Sequence, residues 1–195
     1  MLIESGNLTI ETLHAANITN DGNLNATTSV EANNIENAGK ITSDTVLANN
    51  DLENNGNLNA TTSVEANNIT NAGEITSDTV LAIGDLTNSG SMNVATTNVG
   101  GNLIDNGTWQ QTDSTEINFN GTDAQEFTPN PNSTYKLINV EKLSGILTIK
   151  DVLNVTNLQI NSNVIFEDTA TIENLSIDMS SSEDENFVKF AGEKT

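Results

Sequence analysis

The sequence predicts an all-β fold, a single-stranded parallel β-helix (β-solenoid) built from 17-residue rungs. Three observations predict it: glycines recur every 17 residues, apolar residues keep fixed positions around each glycine, and apolar and polar residues alternate between them. Repeats of this kind place each residue on its equivalent in the next turn, so that equivalent side chains form columns. The period is about half that of the common helical repeats, which also favours strands.

Six glycines set the period, and two residues before each one lies an asparagine or, once, an aspartate. The pairs are Asn20 with Gly22, Asn37 with Gly39, Asn54 with Gly56, Asn71 with Gly73, Asn88 with Gly90, and Asp105 with Gly107. We predict that each pair forms a corner of the coil, because glycine adopts positive φ at little steric cost and asparagine tolerates tight turns. Stacked asparagines can also hydrogen-bond to one another along the column.

Apolar side chains are predicted to fill the interior in columns beside these corners. One column lies four residues before the glycines and another two residues after them: Ile18, Ile35, Leu52, Ile69, Leu86 and Leu103, and Leu24, Ile41, Leu58, Ile75, Met92 and Trp109. A third is predicted at Val30, Leu47, Val64 and Leu81, and a narrow one at Ala26, Ser43, Ala60 and Ser77. The first rung is one residue shorter, and there Leu2 and Leu8 are predicted to join the first two columns.

Local alternation favours strands over helices. Residues 22–26 alternate polar and apolar positions with a period of two, and valine and threonine are frequent. A longer unit is also visible, because residues 18–51 and 52–85 are identical at 27 of 34 positions. Two rungs therefore form one duplicated unit, and its strict register is expected where an insertion would displace every later column.

We predict three parts along the chain. Residues 2–119 carry the regular repeat, and residues 120–179 continue the stack as rungs with irregular corners, unless they form a small separate sandwich. Regularity is lowest near Pro129 and Pro131, because proline removes a hydrogen-bond donor from the strand ladder. Residues 180–195 are predicted to form a loop and one short terminal strand.

The composition argues against several classes of protein. Twenty-seven acidic and six basic residues give a net charge of −21, which argues against binding to nucleic acid or anionic lipid. No cysteine is present, so neither a disulfide nor a thiolate metal site can form. No apolar stretch reaches the roughly 18 residues of a membrane span, so we expect no membrane insertion. The N-terminus lacks a signal peptide, and because the repeat is already running at Leu2, we expect an internal piece of a longer chain.

Residues 52–78 and 83–109, with their Asn-x-Gly step followed by an alternating strand, resemble the haemagglutinin-type repeats of large bacterial secreted adhesins. Residues 117–127 and 137–160 resemble rungs of other bacterial surface β-helix proteins. The resemblance implies a right-handed parallel β-helix, export to the extracellular space or the cell surface, and a role in attachment. Those repeats usually run nearer twenty residues. A left-handed coil of hexapeptide type therefore stays open, as apolar residues six apart in the first full rung allow.

Few residues suggest chemistry, and we predict that the chain is not an enzyme. His14 is the only histidine and is predicted to lie at a solvent-facing edge, without partners for a metal site or a catalytic triad. A candidate calcium column is formed by Asp51 and Asp85 with Asn34 and Asn68, although a plain polar corner fits it better. A threonine-rich ice-binding face is disfavoured, because aspartates interrupt the threonine columns.

Two structural functions follow from these predictions. The first is a rigid shaft of a large exported adhesin, with flanking domains, or glycans of a host or cell surface, as partners. The second is a self-assembling extracellular filament, in which copies stack head to tail because the two ends of a solenoid are open sheet edges. No cofactor other than a possible calcium ion is expected.

Overall fold

The computed structural model describes residues 1–110, 112–178 and 187–190, and these residues form strands and no helix. The strands are β1 (Leu2–Ile3), β2 (Asn7–Asn20), β3 (Asn23–Asn37), β4 (Lys40–Asn54), β5 (Asn57–Asn71), β6 (Glu74–Ala82), β7 (Leu86–Asn88), β8 (Ser91–Val99), β9 (Leu103–Asp105), β10 (Thr108–Trp109), β11 (Glu116–Phe119), β12 (Gln125–Thr128), β13 (Tyr135–Val140), β14 (Ile146–Ile149), β15 (Leu153–Ile160), β16 (Asn163–Phe166), β17 (Ala170–Ile177) and β18 (Val188–Phe190). Within these ranges there is accordingly no helix long and apolar enough to cross a membrane.

Every pairing between the described strands is parallel. Equivalent residues of the regular part are stacked 17 positions apart, as where Ile18 pairs with Ile35 and Ile35 with Leu52. The fold is a β-solenoid of about ten turns, which confirms the predicted fold class. The hand of the coil stays a prediction.

Each regular rung has three faces. In the rung of residues 18–34, burial alternates within residues 18–20 (face A), 23–26 (face B) and 29–32 (face C), and the alternation breaks at the corners between them. We name these corners A/B, B/C and C/A, and use the same names for the equivalent positions of other rungs. Because strand residues point alternately to the two sides of a sheet, every second side chain of each face enters the core.

One predicted apolar column is wrong, because the register slips between neighbouring rungs. Val30 pairs with Val46, and Val46 pairs with Val64, so valine is stacked on valine. Val46 is fully buried, whereas Leu47 pairs with glutamates above and below it and is only half-buried. Leu81 repeats the position of Leu47 in the second copy of the unit.

The slip arises because alternate rungs carry their extra residue at different corners. At corner B/C, two residues (27–28) in one rung are followed by a single residue, Asp44, in the next. At corner C/A, two residues (33–34) are followed by three (49–51), so the total stays at 17. Between the four rungs that begin at residues 18, 35, 52 and 69, adding 17 therefore identifies the stacked partner on faces A and B but fails on face C.

The first rung also departs from its prediction. Leu2 pairs with Thr19 and is 56% exposed, whereas Ile3 pairs with Asn20 and is buried. Leu8 pairs with Leu24 as predicted. The predicted alignment of Leu2 is wrong by one position, and an isoleucine begins the column that asparagines occupy in the next five rungs.

Parallel stacking continues beyond the regular repeat. On face C, β8 is followed by β11, β13, β15 and β17, and on face A, β9 is followed by β12, β14, β16 and β18. Proline-containing residues 129–134 lie between β12 and β13, outside both ladders. The loop predicted to begin at residue 180 lies outside the described residues up to residue 186, and β18 lies within the part predicted as a terminal strand.

The wider irregular rungs are filled by aromatic side chains. The ring centroids of Phe119 and Phe127 lie 5.2 Å apart, and those of Phe127 and Tyr135 lie 5.5 Å apart. All three side chains are fully buried. They come from three different strands of the same turn, so one aromatic layer replaces the small aliphatic layers of the regular rungs.

Candidate functional site

The glycines of corner A/B lie in one column, but the reason predicted for them is wrong. Among the described glycines, positive φ occurs at Gly145 and at Gly6, which lies below Gly22 in the first rung, but at none of the six glycines from Gly22 to Gly107. A Cβ atom placed on Gly39 would lie 2.1 Å from the carbonyl oxygen of Gly22, and one on Gly56 would lie 2.0 Å from that of Gly39. Glycine is required here because successive backbones approach too closely for any side chain.

A buried amide ladder runs beside the glycines, as predicted. The side-chain Nδ2 of each asparagine donates to the Oδ1 of the next residue in the column, at distances of 2.7–2.9 Å, from Asn20 through Asn37, Asn54, Asn71 and Asn88 to Asp105. Each of these side chains is at most 1% exposed. Since every inner asparagine both donates and accepts, the ladder satisfies polar groups that would be costly to bury alone.

The ladder ends at a buried carboxylate that an aromatic hydroxyl also holds. Asp105 Oδ1 accepts from Asn88, and the hydroxyl of Tyr135 donates to Asp105 Oδ2 at 2.6 Å. Burial, followed by the negative charge of Asp105, raises the pKa of Tyr135 well above its ordinary value near 10. This pair was not predicted, because Tyr135 lies outside the repeat.

Tyr135 predicts a loss of stability in alkali. An unfolded tyrosine loses its proton near pH 10, whereas the folded side chain keeps it, so the stability present below pH 10 is lost as the pH rises above about 10. Tyr135 is the only tyrosine of the chain, so the ultraviolet absorbance of the tyrosinate ion reports the ionisation of this residue alone. We expect ionisation to coincide with unfolding, and Tyr135→Phe to be about 2 kcal/mol less stable at neutral pH but less sensitive above pH 10. Ionisation of the folded protein near pH 10 would contradict this.

The candidate calcium column is aligned as predicted, and its oxygens accept hydrogen bonds from neighbouring rungs. Asn68 Nδ2 donates to Asp51 Oδ1 at 2.9 Å, and the backbone N–H of Asn102 donates to Asp85 Oδ1 at 2.7 Å. Asn34 Oδ1 accepts from the backbone N–H of Asp51. No group of three or more acidic or histidine side chains suited to a metal ion occurs among the described residues. Calcium binding by Asp51 and Asp85 stays a prediction.

His14 lies at the solvent-facing edge that the sequence predicts. Its side chain is 63% exposed, and Nδ1 lies 2.9 Å from a carboxylate oxygen of Glu31, its neighbour in the next rung. An exposed pair of this kind contributes little to stability and does not form a catalytic arrangement by itself.

Lys142, a buried lysine inside corner C/A, was not predicted from the sequence. Lys142 Nζ donates to the carbonyl oxygens of Gly121 and Asp123, at 2.8 and 2.7 Å, and to Gln125 Oε1 at 2.6 Å. Only 5% of Lys142 is exposed, and burial lowers its pKa to about 8. Three donors of one ammonium thus meet three acceptors, which explains how a cation is tolerated in the core.

Replacing Lys142 by methionine is expected to destabilise the protein by about 3 kcal/mol, since three buried oxygens lose their donor. Thermal unfolding followed by circular dichroism measures the effect. Lys150→Met is the control, because Lys150 forms only surface ion pairs with Glu126 and Glu167, and its melting temperature should stay close to the wild type. Equal melting temperatures for both variants would contradict the role given to Lys142.

The surface carries a polar groove at corner B/C, with a volume of about 390 Å³. Its walls come from three consecutive rungs and from the loop of the next rung. They include Asn59, Thr61, Thr76, Asp78, Asn93, Ala95, Thr112 and Thr115. Six residues separate Trp109 from Glu116, where three separate their partners Met92 and Thr96 in the rung below. Thr112 and Thr115 of this longer corner close one end of the groove.

The last described rung leaves apolar side chains uncovered. Leu175, Ile177 and Phe190 are 47%, 49% and 54% exposed. They extend columns whose residues one rung below are fully buried. The ring of Phe190 is stacked at 4.6 Å on that of Phe166, so the final layer is ordered although nothing among the described residues covers it.

Comparison of the chain with protein-family models, with curated proteins and with solved structures gave no match. The resemblance to haemagglutinin-type repeats therefore stays a prediction that depends on the sequence of residues 52–78 and 83–109. What the structure shows is the fold, a β-solenoid of about ten stacked turns.

Proposed function

We propose that this chain is a rigid, non-catalytic shaft segment of an exported bacterial surface adhesin. The observation that carries the proposal is the continuous stack itself, in which backbone pairing on three faces and a buried amide ladder tie each rung to the next. Bending such a rod would break many parallel contacts at once, so it holds whatever lies at its two ends at a fixed distance. The net charge of −21 keeps such rods apart in solution.

The shaft proposal predicts particle dimensions. About ten turns at roughly 4.8 Å each give a rod about 50 Å long. Small-angle scattering of the purified chain should give an elongated particle of that length, and insertion of a second copy of residues 18–51 after Asp51 should lengthen it by about 10 Å. A globular particle, or a length unchanged by the insertion, would refute a rigid shaft.

Export and surface location belong to the same proposal. Fractionation of cells that produce the full open reading frame, followed by protease treatment of intact cells, tests them. The proposal requires that antibodies against this segment detect it on the surface. Detection only in the cytoplasm would refute it while leaving the rod geometry untouched.

A second candidate function, a self-assembling filament, is favoured by the uncovered final layer. Stacking the first rung of another copy on Leu175, Ile177 and Phe190 would bury them and pair the open strand edges. The first rung offers matching apolar side chains on the same faces, with Leu13 on face C and Ile3 on face A. The contact is head to tail, so it propagates without closing.

Electron microscopy and sedimentation at rising concentration decide between the two candidates. A filament predicts fibres of uniform width, which the pair Leu175→Lys and Ile177→Lys should abolish. Ser176→Lys is the matched control, since Ser176 lies between them and faces solvent. Monodisperse short rods at all concentrations would exclude the filament and agree with the shaft.

A further inference from the structure

We propose that the groove at corner B/C binds a neutral oligosaccharide through the carboxylate of Asp78 and the stacked side chains of Asn59, Thr76 and Asn93. The inference rests on the proposed adhesive function and adds to it a site and a class of ligand. The observation that supports the inference is a difference at this corner between the two copies of the duplicated unit.

The same eight residues, Ile-Thr-Ser-Asp-Thr-Val-Leu-Ala, occur twice, at 41–48 and 75–82, but their aspartates differ in partners. In the first copy, Asp44 Oδ1 accepts from the hydroxyl of Thr61 in the rung above at 2.8 Å. In the second copy, the residue above Asp78 is Ala95, which has no hydroxyl. Within residues 1–110, 112–178 and 187–190, no protein group donates to Asp78, so its oxygens are free to accept from a ligand.

The small side chain of Ala95 and the longer corner above it create the cavity. Thr112 and Thr115 fix the shape of that corner, because the backbone N–H of Thr112 donates to Thr115 Oγ1 at 2.9 Å and the backbone N–H of Thr115 donates to the carbonyl oxygen of Thr112. Asp113 and Lys136 also form an ion pair of 3.1 Å between the loop and a later rung, but Asp113 is exposed and the pair adds little. The closed end is therefore shaped by the hydrogen bonds between Thr112 and Thr115, as the fixed geometry of a binding site requires.

The lining determines the class of ligand. Asn59, Thr76 and Asn93 form one outward column across three rungs, and among the described residues none of their side chains has a protein partner. Amide and hydroxyl groups both donate and accept, which matches the hydroxyls of a sugar. Rungs repeat at about 4.8 Å, so the column offers a polar group to each successive part of an extended chain of sugar rings. The strongly negative charge of the protein disfavours an acidic saccharide.

The described residues that line the groove include no aromatic ring, and their apolar contact is limited to small groups such as the methyl of Ala95. We therefore expect weak binding by a single site, with a Kd on the order of 1 mM. Many copies displayed on one surface would raise the apparent affinity without any new contact. This weak, repeated contact is suited to attachment.

The test uses the whole chain and two matched variants. Ligand-observed NMR and calorimetry measure binding of neutral tetrasaccharides of β-linked glucose, mannose, galactose and N-acetylglucosamine, with tetragalacturonate as the acidic counterpart. We expect at least one neutral tetrasaccharide to bind and tetragalacturonate not to bind. Asp78→Ala should weaken binding about tenfold, the loss of one charge-assisted contact, whereas Asp44→Ala, in identical local sequence, should leave it unchanged.

Absence of binding to every neutral tetrasaccharide at about 10 mM, a concentration well above the expected Kd, would overturn the proposal. Equal weakening by Asp78→Ala and Asp44→Ala would overturn it too, because it would place the contact outside the groove. Small-angle scattering on the same samples separates this failure from failure of the shaft. A rod of the expected length that binds no sugar refutes only the groove.

Discussion

Replacing Gly56 by alanine is expected to destabilise the protein by about 3 kcal/mol or more. The new Cβ would lie 2.0 Å from the carbonyl oxygen of Gly39, and this oxygen belongs to the backbone of a paired rung. It cannot move without disturbing the ladder, in which the backbone N–H of Asn57 donates to that same oxygen at 2.9 Å. Chemical denaturation with urea, followed by circular dichroism, measures the loss.

Asn55→Ala is the control for Gly56→Ala. Asn55 precedes Gly56 at the same corner, but its side chain is exposed and its Nδ2 donates to a carboxylate oxygen of Glu53, which is also exposed. We expect this variant to stay within about 0.5 kcal/mol of the wild type. If Gly56→Ala were equally mild, successive backbones could not approach as closely as the glycine column requires.

Replacing Asn54 by aspartate is the second change from which we expect a large effect, of about 4 kcal/mol at neutral pH. Asn54 Nδ2 donates to Asn71 Oδ1 at 2.8 Å and to the carbonyl oxygen of Glu74 at 3.0 Å. A carboxylate has no proton to donate, so it would face these oxygens in a buried column. Aspartate is accepted at position 105 only because Tyr135 and the backbone N–H of Gly107 donate to it.

Asn55→Asp adds the same charge one residue later at an exposed position, so it isolates the effect of burial. We expect it to change stability little. The defect of Asn54→Asp should shrink as the pH falls, because burial raises the pKa of the new carboxyl and its protonated form can donate again. Urea midpoints at several pH values test this. A defect that is independent of pH, or equal for both variants, would contradict the ladder as described.

The parts of the structure that repeat could be predicted from the sequence. The asparagine ladder and the glycine column follow from a spacing of 17 residues, because stacked positions must be identical or complementary. The physical reason for the glycines could not be predicted, since positive φ and close backbone approach both select glycine. The two explanations are separated by the φ angles of these glycines and by the 2.1 Å between a Cβ atom placed on Gly39 and the carbonyl oxygen of Gly22.

The parts that differ from the repeat were harder to predict. Leu47 was predicted for the buried column in place of Val46, because two corners exchange one residue while the total length stays constant. Tyr135 and Lys142 form their hydrogen bonds inside irregular rungs, so no repeated spacing in the sequence indicates their partners. The position of Asp78 is visible in the sequence. Threonine and aspartate alternate along its column from Thr27 to Asp78, and Ala95 interrupts this alternation. A departure from the repeat was therefore informative about the candidate site.

The amide ladder has a fixed beginning and a fixed end, with Ile3 below Asn20 and Asp105 above Asn88. One unpartnered acceptor, Asn20 Oδ1, is left at the beginning, and its cost does not grow with the number of rungs. Each additional asparagine in the middle brings one donor and one acceptor, so lengthening the ladder leaves no further amide of the ladder without a partner. The rod is therefore modular: its reach can be tuned by copying the duplicated unit, with both end pieces kept unchanged.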